Sequence, residues 1–421
     1  MNMMSYDVVV IGGGPAGMAA ALKSKEYGCT VALLERDADL GGILNQCIHP
    51  GFGVEYFKEE LAGPEYAGRF TDLVNSAGID VYIQTMVTAV NPERSVMAIN
   101  QNGVMQISAG AVVLAMGCRE RTRGAIMIPG YRPAGVMTAG IAQRYINIEN
   151  LKPGSKAVIV GSGDIGLIMA RRMYLEGIQV LGVYEIMPYV NGLIRNVKQC
   201  LEDFAIPLYL SETVIDIQGK GRLSGVVTAR VDENFRPVSG TEKHIECDLL
   251  LLSVGLIPEN DLSVRVGVEL NTATQGPLVN NGLETNVPGI FACGNVLHVH
   301  DVVDNVTREA LKAGEQAARY AKKTGVKPKE PRKILAGENI RYTVPNYYHP
   351  GAGEKVDICF RVSRPISDGY LVVSSPERVI LEGKPRGFRP GEMEKFSLSP
   401  KLQGKDCSDV ILSVRRRSNG N

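Results

Sequence analysis

One pattern constrains the fold of this chain more than any other, and it occurs twice: an apolar strand, a glycine-rich turn, a helix, a second strand and an acid. The first copy lies in "SYDVVVIGGGPAGMAAALKSKEYGCTVALLER". Residues 6–11 are predicted to form a strand, because they end in the continuous apolar run Val8–Ile11, which is typical of a strand buried on both faces of a parallel sheet. Gly12, Gly14 and Gly17 then follow as G-x-G-x-x-G. This spacing predicts a tight turn whose backbone can approach a pyrophosphate, with the third glycine letting the helix pack on the strand.

The helix of this first copy is predicted to begin at Pro15 and to end near residue 27. Pro15 suits a first helical position, and the amides around Pro15 and Ala16 would point at bound phosphate groups. A second strand over residues 30–34 leads to Glu35, eighteen residues past the last glycine of the turn. A carboxylate there can accept both ribose hydroxyls of an adenosine. The complete unit therefore predicts a dinucleotide site, and a glycine-rich turn without a ligand is the alternative that it disfavours.

The second copy is "SKAVIVGSGDIGLIMARRMYLEGIQVLGVYE", with a strand over residues 157–160 and a helix that runs to about residue 176. Its acid, Glu185, lies nineteen residues past the last glycine. The residues predicted to contact this second nucleotide are Gly161, Gly163, Asp164, Ile165, Gly166 and Glu185. Two complete units predict two bound dinucleotides.

The acid of the second copy also bears on the choice of coenzyme. A carboxylate at Glu185 would repel a 2′-phosphate, and no arginine directly follows it. The sequence therefore favours NADH over NADPH.

Composition excludes several other classes of protein. The 46 Lys and Arg residues against 45 Asp and Glu give a net charge of +1, so no overall field attracts nucleic acid. The apolar run near the start is far shorter than the ~18 residues of a membrane span and has no basic region before it, so neither a span nor a signal peptide is expected. The eight cysteines form no C-x-x-C pair, which argues against zinc and thioredoxin-like sites. We therefore expect a cytoplasmic protein.

Three further segments carry a resemblance to a known superfamily. They are "AVVLAMGCRER" (111–121), "CDLLLLSVGLIP" (247–258) and "TNVPGIFACGNVLHVHDVVDNV" (285–306). With the two glycine turns, and in the same order, they resemble the two-dinucleotide-binding-domain flavoproteins, the superfamily of pyridine nucleotide–disulfide oxidoreductases. The resemblance covers residues 5–325. It implies an NAD(P)/FAD-dependent oxidoreductase with FAD on the first fold and NAD(H) on the second.

The resemblance also implies which residues would contact each cofactor. Asn295 stands where an acid usually holds the ribityl chain, and the helix expected from residue 305 to 322 would aim its N-terminus at the flavin. On the second fold the resemblance adds Gly255 to the NAD contacts. The residues expected to contact FAD are Gly12, Gly14, Pro15, Ala16, Gly17, Glu35, Arg36, Gly42, Ile43, Leu44, Val87, Ala115, Gly117, Asn295, Asp301 and Val302.

A narrower likeness concerns "GGILNQCIHPGFG", "GCRERTRGAIMIPGYRPAGVMTAGIAQ" and "NVLHVHDVVDNV". These segments resemble the flavoprotein subunits of multi-subunit bacterial dehydrogenases. That group includes opine oxidase, hydrogen cyanide synthase and amino-acid dehydrogenase subunits and an oxidoreductase encoded beside a glycerol-3-phosphate dehydrogenase-like protein. The likeness implies an oligomeric protein with a small-molecule redox substrate and a partner dehydrogenase subunit, but it does not name the substrate.

Cys47 has two interpretations, a reactive thiol that takes part in electron transfer or a structural residue. A disulfide reductase would place two cysteines after the glycine pair, but Leu44 occupies the first position and no second thiol follows. Cys47 alone could still cycle through a thiolate or sulfenic acid, with His49 as the nearby cation that lowers its pKa. Its other interpretation is a small apolar residue that packs beside the flavin, and the sequence favours that one.

Two histidines near the expected flavin have two interpretations. His298 and His300 precede Asp301, and His300 is the candidate for a proton donor that faces the flavin. A histidine here could equally form a hydrogen bond with the backbone. No thiolate or further ligand cluster accompanies the pair, so we expect no metal site.

The predicted architecture is α/β, with two Rossmann-like dinucleotide-binding domains and a small C-terminal β-domain. Residues 1–118 and 258–325 would form the FAD domain, and the NAD domain would be inserted between them over 119–257. Residues 330–421 alternate β-branched and polar residues between turn signals, which predicts a β-sandwich that acts as an interface or lid.

The leading functional prediction is an oxidoreductase that passes electrons between NAD(H) and a partner dehydrogenase subunit or its substrate. A single-cysteine NADH oxidase or disulfide reductase that uses Cys47 is one alternative. A scaffold that binds flavin and nucleotide without catalysis is the other.

Overall fold

The computed structural model describes residues 4–324, 330–350, 355–403 and 408–416. Contacts within the chain divide it into two compact units. One unit contains the residues up to Cys118 together with those from Pro258 onward, and the other is Arg119–Ile257. None of the helices in these described ranges combines the length and hydropathy that a membrane crossing requires.

The first unit begins with the first copy of the repeated pattern. Its elements, in chain order, are β1 (Met4–Ile11), α1 (Pro15–Glu26), β2 (Val31–Leu34), β3 (Pro50–Phe52), β4 (Leu61–Ala62), α2 (Gly63–Ser76), β5 (Asp80–Tyr82), β6 (Met86–Val90), β7 (Ser95–Asn100) and β8 (Gly103–Leu114). Strand β1 pairs in parallel with β2 on one side and β8 on the other. Val8, Val9 and Val10 are completely buried, as their continuous apolar run predicts for a central parallel strand.

The second unit repeats this construction. Its elements, including two short strands that reach its boundaries, are β9 (Cys118–Glu120), α3 (Arg123–Ile126), β10 (Val136–Thr138), α4 (Ala139–Asn147), β11 (Lys156–Val160), α5 (Asp164–Leu175), β12 (Gln179–Glu185), α6 (Ile194–Cys200), β13 (Leu208–Leu210), β14 (Glu212–Gln218), β15 (Gly225–Arg230), β16 (Lys243–Ile245), β17 (Leu249–Leu252) and β18 (Leu256–Pro258). The parallel sheet has the order β10-β17-β11-β12-β13, and β14, β15 and β16 form a separate antiparallel sheet. Strand β11 is thus the central strand that precedes the second glycine turn.

The chain then returns to the first unit through α7 (Asp261–Arg265), β19 (Ile290–Ala292) and α8 (Val303–Ala321). The main sheet of this unit has the order β5-β2-β1-β8-β7-β6, with β19 paired to β8. Helix α8 begins at Val303, two residues before its predicted start. It packs closely on α1, because a Cβ at Gly314 would lie 2.9 Å from the Cα of Ala20. The Ser24 hydroxyl of α1 stabilises the contact between the two helices by donating a hydrogen bond to the carbonyl of Gly314 (3.0 Å).

The C-terminal part of the first unit is built from strands. Its elements are β20 (Arg332–Ala336), β21 (Ile340–Val344), β22 (Tyr347–Tyr348), β23 (Val356–Val362), β24 (Ile366–Ser374), β25 (Val379–Glu382), β26 (Arg386–Phe388), β27 (Glu394–Leu398), α9 (Pro400–Gln403) and β28 (Val410–Arg416). Strands β21, β23 and β27 form one antiparallel sheet, and the order of the other is β22-β20-β28-β24-β25 with β26 beside β24. Ile358, Phe360 and Val362 of β23 belong to a hydrophobic cluster that these strands enclose among themselves. Residues 325–329, where the predicted FAD domain gives way to the predicted C-terminal β-domain, lie outside the described part of the chain.

Candidate functional site

The first glycine turn is built so that backbone segments touch. Gly12 has φ +106°, and a Cβ there would lie 2.8 Å from the carbonyl carbon of Ala115, the residue that follows β8. A Cβ at Gly17 would lie 2.9 Å from the carbonyl carbon of Gly12 and overlap its oxygen. These two positions therefore require glycine in order to hold the start of α1 against the ends of β1 and β8.

Gly14, the middle glycine, differs from the other two. A Cβ there would meet no atom within 4 Å, and the residue is the N-cap of α1 with φ −73°. Since the chain itself does not need a glycine at this position, the missing side chain leaves room for something else. The first amides of a helix have no acceptor within the helix, and the helix dipole favours an anion at this end. The open space beside Gly14 therefore fits a phosphate group.

Glu35 is held beside this turn, as predicted for an acid that binds ribose. Its carboxylate is buried and accepts hydrogen bonds from the amides of Gly13 (2.6 Å) and Asp37 (2.7 Å), one on each oxygen. Each oxygen keeps a further lone pair for a hydroxyl donor. Arg36, the next predicted contact, is exposed.

The second unit reproduces this geometry closely. Gly161 has φ +99°, and a Cβ at Gly166 would lie 2.6 Å from the Gly161 carbonyl oxygen, whereas a Cβ at Gly163 would again meet no atom within 4 Å. Glu185 is buried and accepts hydrogen bonds from the amide (2.9 Å) and hydroxyl (2.6 Å) of Ser162. The same acid, turn and open middle glycine therefore occur in both units.

Asp164, predicted to contact NAD, has a different partner for its side chain. One carboxylate oxygen accepts hydrogen bonds from the Leu193 amide (2.8 Å) and the Asn196 side chain (2.6 Å). The Asp164 carboxylate therefore binds the residue before α6 and the first turn of that helix. Asp164 would contact a nucleotide through its backbone amide, as would the partly buried Ile165 that follows it in the first turn of α5.

A cavity of about 550 Å³ opens within the second unit. Its lining includes Thr138 and Leu252, which are paired residues at the carboxyl ends of the neighbouring parallel strands β10 and β17. Ligands of open α/β sheets bind at the carboxyl ends of the strands, and small-molecule sites commonly measure ~300–1,000 Å³. Gly255, the predicted NAD contact three residues past β17, is exposed with φ +101°.

The glycine pair Gly41-Gly42 turns the chain beside the first glycine turn. Both residues have positive φ (+114° and +57°), and a Cβ at Gly42 would lie 3.2 Å from the Cα of Gly14. In the short 3₁₀ turn that follows, Leu44 is buried and Ile43 is exposed. Gly42 and Gly14 are thus adjacent, as their common assignment to one cofactor requires.

Cys47 ends that 3₁₀ turn and has contacts that hold the backbone. Its carbonyl accepts the amide of Gly63, the first residue of α2 (2.8 Å), and its thiol donates to the Ile43 carbonyl (3.3 Å). A Cβ at Gly63 would lie 2.9 Å from that of Cys47. These contacts are those of a packed structural residue, and its catalytic role stays a prediction.

The other cysteines that the structure describes have mostly buried thiols, and no disulfide joins any of the described cysteines. Burial raises the pKa of Cys247 and of Cys359 to about 12 and that of Cys293 well above its usual value. Such thiols are unreactive at neutral pH.

The turn between β19 and α8 is braced by its own polar groups. The side-chain oxygen of Asn295 accepts the His300 amide (3.1 Å), and its side-chain NH₂ donates to the Cys118 sulfur (3.6 Å). Val302 is the N-cap of α8. The remaining predicted flavin contacts of this unit are Val87, which is buried in β6, Ala115, which is buried after β8, and Gly117, which has φ +72°.

His298 and His300 share a largely buried partner that the sequence did not indicate. Their Nε2 atoms lie 2.8 Å and 3.4 Å from the same carboxylate oxygen of Glu309 in α8. The other oxygen accepts the amide of Gly294 (2.7 Å). The Nδ1 atoms of both histidines are buried without a hydrogen-bond partner. Of the two interpretations of these histidines, the hydrogen bond from an imidazole to the backbone is not observed, because both Nε2 atoms face the Glu309 carboxylate, and the role of His300 as a proton donor stays a prediction.

Burial lowers the pKa of His298, and the neighbouring His300 lowers it further, against the opposing effect of Glu309. Burial by itself would raise the pKa of Glu309, but the two imidazoles and their hydrogen bonds hold it below its ordinary value. The three side chains are close enough to ligate a metal ion. Since hydrogen bonds already occupy the carboxylate oxygens, the arrangement does not require one, and the absence of a metal stays a prediction.

Asp301, predicted to contact FAD, has its side chain directed to the C-terminal strands instead. One carboxylate oxygen forms an ion pair with Arg361 of β23, and the other accepts the amide of Met393 (2.6 Å). These two bonds direct the Asp301 carboxylate toward the C-terminal strands, and its contact with FAD stays a prediction. Glu309 and Arg361 are the residues that sequence reasoning missed, and neither lies in a recognisable motif.

Comparison with known proteins identifies the family. The model of the pyridine nucleotide-disulphide oxidoreductase family matches residues 6–325. The chain belongs to this family. It is therefore an oxidoreductase that depends on FAD and a pyridine nucleotide, and the α/β class and the superfamily predicted from the sequence are confirmed.

Individual relatives agree with this assignment. The chain is 28% identical over 320 residues to the hydrogen cyanide synthase subunit HcnB of Pseudomonas protegens, across 70% of this chain and 66% of HcnB. It is 25% identical over 310 residues to an opine oxidase subunit of Agrobacterium tumefaciens, across 69% of this chain and 61% of that protein. The chain thus spans somewhat less than two thirds of each of these relatives. The structure of T. acidophilum thioredoxin reductase matches with a TM-score of 0.62 at 23% identity, over 76% of this chain and 99% of that one, which shows a common fold.

Proposed function

We propose that this protein passes electrons between NAD(H) and a partner dehydrogenase subunit, or that subunit's small-molecule substrate, by hydride transfer through FAD. The observation that carries the proposal is the matched pair of glycine turns, each with a buried glutamate and an open middle glycine. FAD, when bound, accepts a hydride and can release electrons singly or in pairs.

Separate groups of residues would hold the two cofactors. The start of α1 and Glu35 would hold the adenosine diphosphate half of FAD, while Gly42 and the Asn295 turn would lie along the flavin half. The start of α5 and Glu185 would hold the second nucleotide, with its nicotinamide end toward the cavity at β10 and β17. We therefore propose the architecture predicted from the sequence, with an NAD domain over 119–257 inserted into an FAD domain and a C-terminal β-domain after residue 330.

NAD(H) is favoured over NADP(H) because of how Glu185 is held. Its second oxygen accepts the amide of Met187 (2.9 Å), so both oxygens are hydrogen-bonded and the buried carboxylate is fixed where a ribose would lie. A 2′-phosphate brought against a fixed carboxylate would suffer repulsion, and the residue that follows Glu185 is Ile186 rather than an arginine that could offset it.

The partner is proposed from the relatives. HcnB of hydrogen cyanide synthase and the opine oxidase relative are both named as subunits of their enzymes. We infer that this chain likewise works in a complex with a dehydrogenase subunit, which would be either the source or the destination of the electrons.

The proposal is tested by mixing the purified flavoprotein with NADH under anaerobic conditions in a stopped-flow spectrometer. We expect the flavin absorbance near 450 nm to bleach with NADH faster than with an equal concentration of NADPH. Flavin that stays oxidised with both coenzymes would contradict the proposal and favour a scaffold that holds nucleotides without redox function. Co-purification from the native host, followed by identification of the bound proteins, tests the partner.

Cys47→Ser distinguishes this function from thiol chemistry. Because the Cys47 thiol donates to a main-chain carbonyl and a serine hydroxyl can do the same, we expect the rate of flavin reduction and the turnover to stay within about twofold of wild type. Loss of turnover with an unchanged rate of flavin reduction would instead show that the thiol carries electrons.

A further inference from the structure

Strand β23 has two different faces, and only one of them serves the C-terminal core. Val356, Ile358, Phe360 and Val362 alternate into the hydrophobic cluster of the C-terminal strands. Because side chains alternate along a strand, Arg361 points the opposite way. Only 12% of its side chain is exposed.

On that opposite face, each nitrogen atom of the Arg361 guanidinium donates a hydrogen bond. Its Nε donates to the Tyr342 hydroxyl of β21 (3.0 Å) and its Nη1 to the Pro390 carbonyl (3.3 Å), so two bonds hold the guanidinium within the C-terminal strands. Its Nη2 donates to the Val299 carbonyl (3.1 Å) and pairs with Asp301. The Arg361 side chain therefore links the C-terminal strands to the turn that precedes α8.

A second connection runs in parallel with the first. The Met393 amide bonds the remaining oxygen of Asp301, and Lys395 of β27 contacts the Asn305 side chain in the first turn of α8. The turn that contains Asn295 and Val302 is thus held on one side by Glu309 of α8 and on the other by the C-terminal strands.

We propose that Arg361 is a positioning residue for FAD: it fixes the turn 299–301, and through it the start of α8, in the conformation that binds the flavin. The C-terminal strands are then a working part of the flavin site rather than a separate interface or lid. This inference rests on the proposed placement of FAD beside Asn295 and Val302.

The test compares two neighbours on the same strand that face opposite ways. Arg361→Met removes the bonds to the turn. Phe360→Ala is the matched control, because it empties a fully buried position in the hydrophobic cluster of the C-terminal strands, on the face of β23 opposite to Arg361. A second variant, Arg361→Met with Asp301→Asn, leaves no partly buried carboxylate without its cation and so guards against a failure to fold.

Two measurements are made on each protein at a temperature where all of them are folded. The first is the dissociation constant for FAD, by calorimetry on the flavin-free protein. We expect both Arg361 variants to bind FAD more weakly by about 2-fold to 30-fold, the range for residues that act on a site without touching the ligand. The second is the hydrogen exchange of the amides at 294–303 in the flavin-free protein, which should accelerate in the Arg361 variants and stay unchanged in Phe360→Ala.

The outcomes separate this inference from the proposed function. Equal FAD affinity in Arg361→Met and wild type, with exchange at 294–303 unchanged, would overturn the role of Arg361. A weakening of FAD binding as large in Phe360→Ala as in Arg361→Met would also overturn it, because the effect would then follow stability alone. A wild-type protein that binds no FAD would refute the proposed function, while the exchange measurement would still test whether Arg361 holds the turn.

Discussion

Replacing Gly14 by alanine is a sharp test of where the diphosphate of FAD lies. A Cβ at this position would meet no atom of the chain within 4 Å, and φ −73° with ψ −175° is open to alanine. Alanine is a poorer N-cap than glycine by about 0.5–1 kcal/mol. It also restricts the unfolded chain, which stabilises by about 0.4–1 kcal/mol. The two effects offset each other, so the free energy of unfolding of the flavin-free protein should change by less than about 1 kcal/mol.

The effect on FAD is expected to be larger. If the diphosphate passes over Gly14, the added methyl group occupies its space, and forcing an extra methylene into a packed site costs about 1–3 kcal/mol. At 1.4 kcal/mol per tenfold change, that is a loss of FAD affinity of about 5-fold to 150-fold.

The assay is calorimetric titration of the flavin-free protein with FAD, together with urea unfolding of the same samples. Gly163→Ala is the matched control in the second unit, since Gly163 has a similar φ (−68°) and a Cβ there would also meet no atom within 4 Å. It should weaken NAD⁺ binding and leave the FAD affinity unchanged. An FAD affinity within about twofold of wild type in Gly14→Ala would refute the reasoning, because an extra methyl cannot be accommodated without cost where a diphosphate is packed.

Three other predictions follow from the same geometry. Gly17→Ala places a Cβ 2.9 Å from the Gly12 carbonyl carbon, so it should lower the free energy of unfolding by about 1–3 kcal/mol, read from the urea midpoint, in contrast to the nearly neutral Gly14→Ala. Glu185→Gln removes the charge that opposes a 2′-phosphate, so the ratio of flavin reduction rates with NADH and NADPH should fall toward one; an unchanged ratio would show that another residue sets the preference. The folded protein should lose stability as the pH falls from about 7 to 4, because the pKa of His298 is lowered below 6.5 and that of Glu309 below 4.5, so that in both cases the unfolded chain binds protons that the folded chain does not. Urea midpoints across that range would measure this loss, which should be smaller in His298→Gln, and a stability that rises on acidification would contradict it.

What could be predicted from the sequence follows from how local the determinants are. Gly12, Gly17 and Glu35 lie within one strand–helix–strand unit, and their positions depend on backbone contacts that a short stretch of chain specifies. The structure accordingly places them together, with the Glu35 carboxylate on the amide of Gly13. The second unit, around Gly161 and Glu185, could be predicted for the same reason.

The polar pairs around the Asn295 turn could not be predicted in this way. Asp301 and Arg361 are sixty residues apart, and only the packing of the C-terminal strands brings them into contact. Glu309 is an ordinary acid on a helix until the fold places it against His298 and His300. The position of Asp301 within its segment favours a flavin contact, and the sequence carries no sign of the competing guanidinium. Side chains that bond across distant segments are specified by tertiary packing, which periodicity and spacing do not reveal.

The burial of most described thiols has a practical consequence for spectroscopy. Cys29, Cys200, Cys247 and Cys293 are buried and their pKa values are raised, and burial also raises the pKa of the partly exposed Cys359 to about 12. A maleimide dye at neutral pH should therefore react first at the partly exposed Cys47 and Cys118 among the described cysteines. Cys47 lies at the end of the Gly42–Gln46 turn, and the Cys118 sulfur accepts a hydrogen bond from the side-chain NH₂ of Asn295. The native chain therefore carries two attachment points for fluorescent reporters beside the segments that should respond to flavin, without any engineered cysteine.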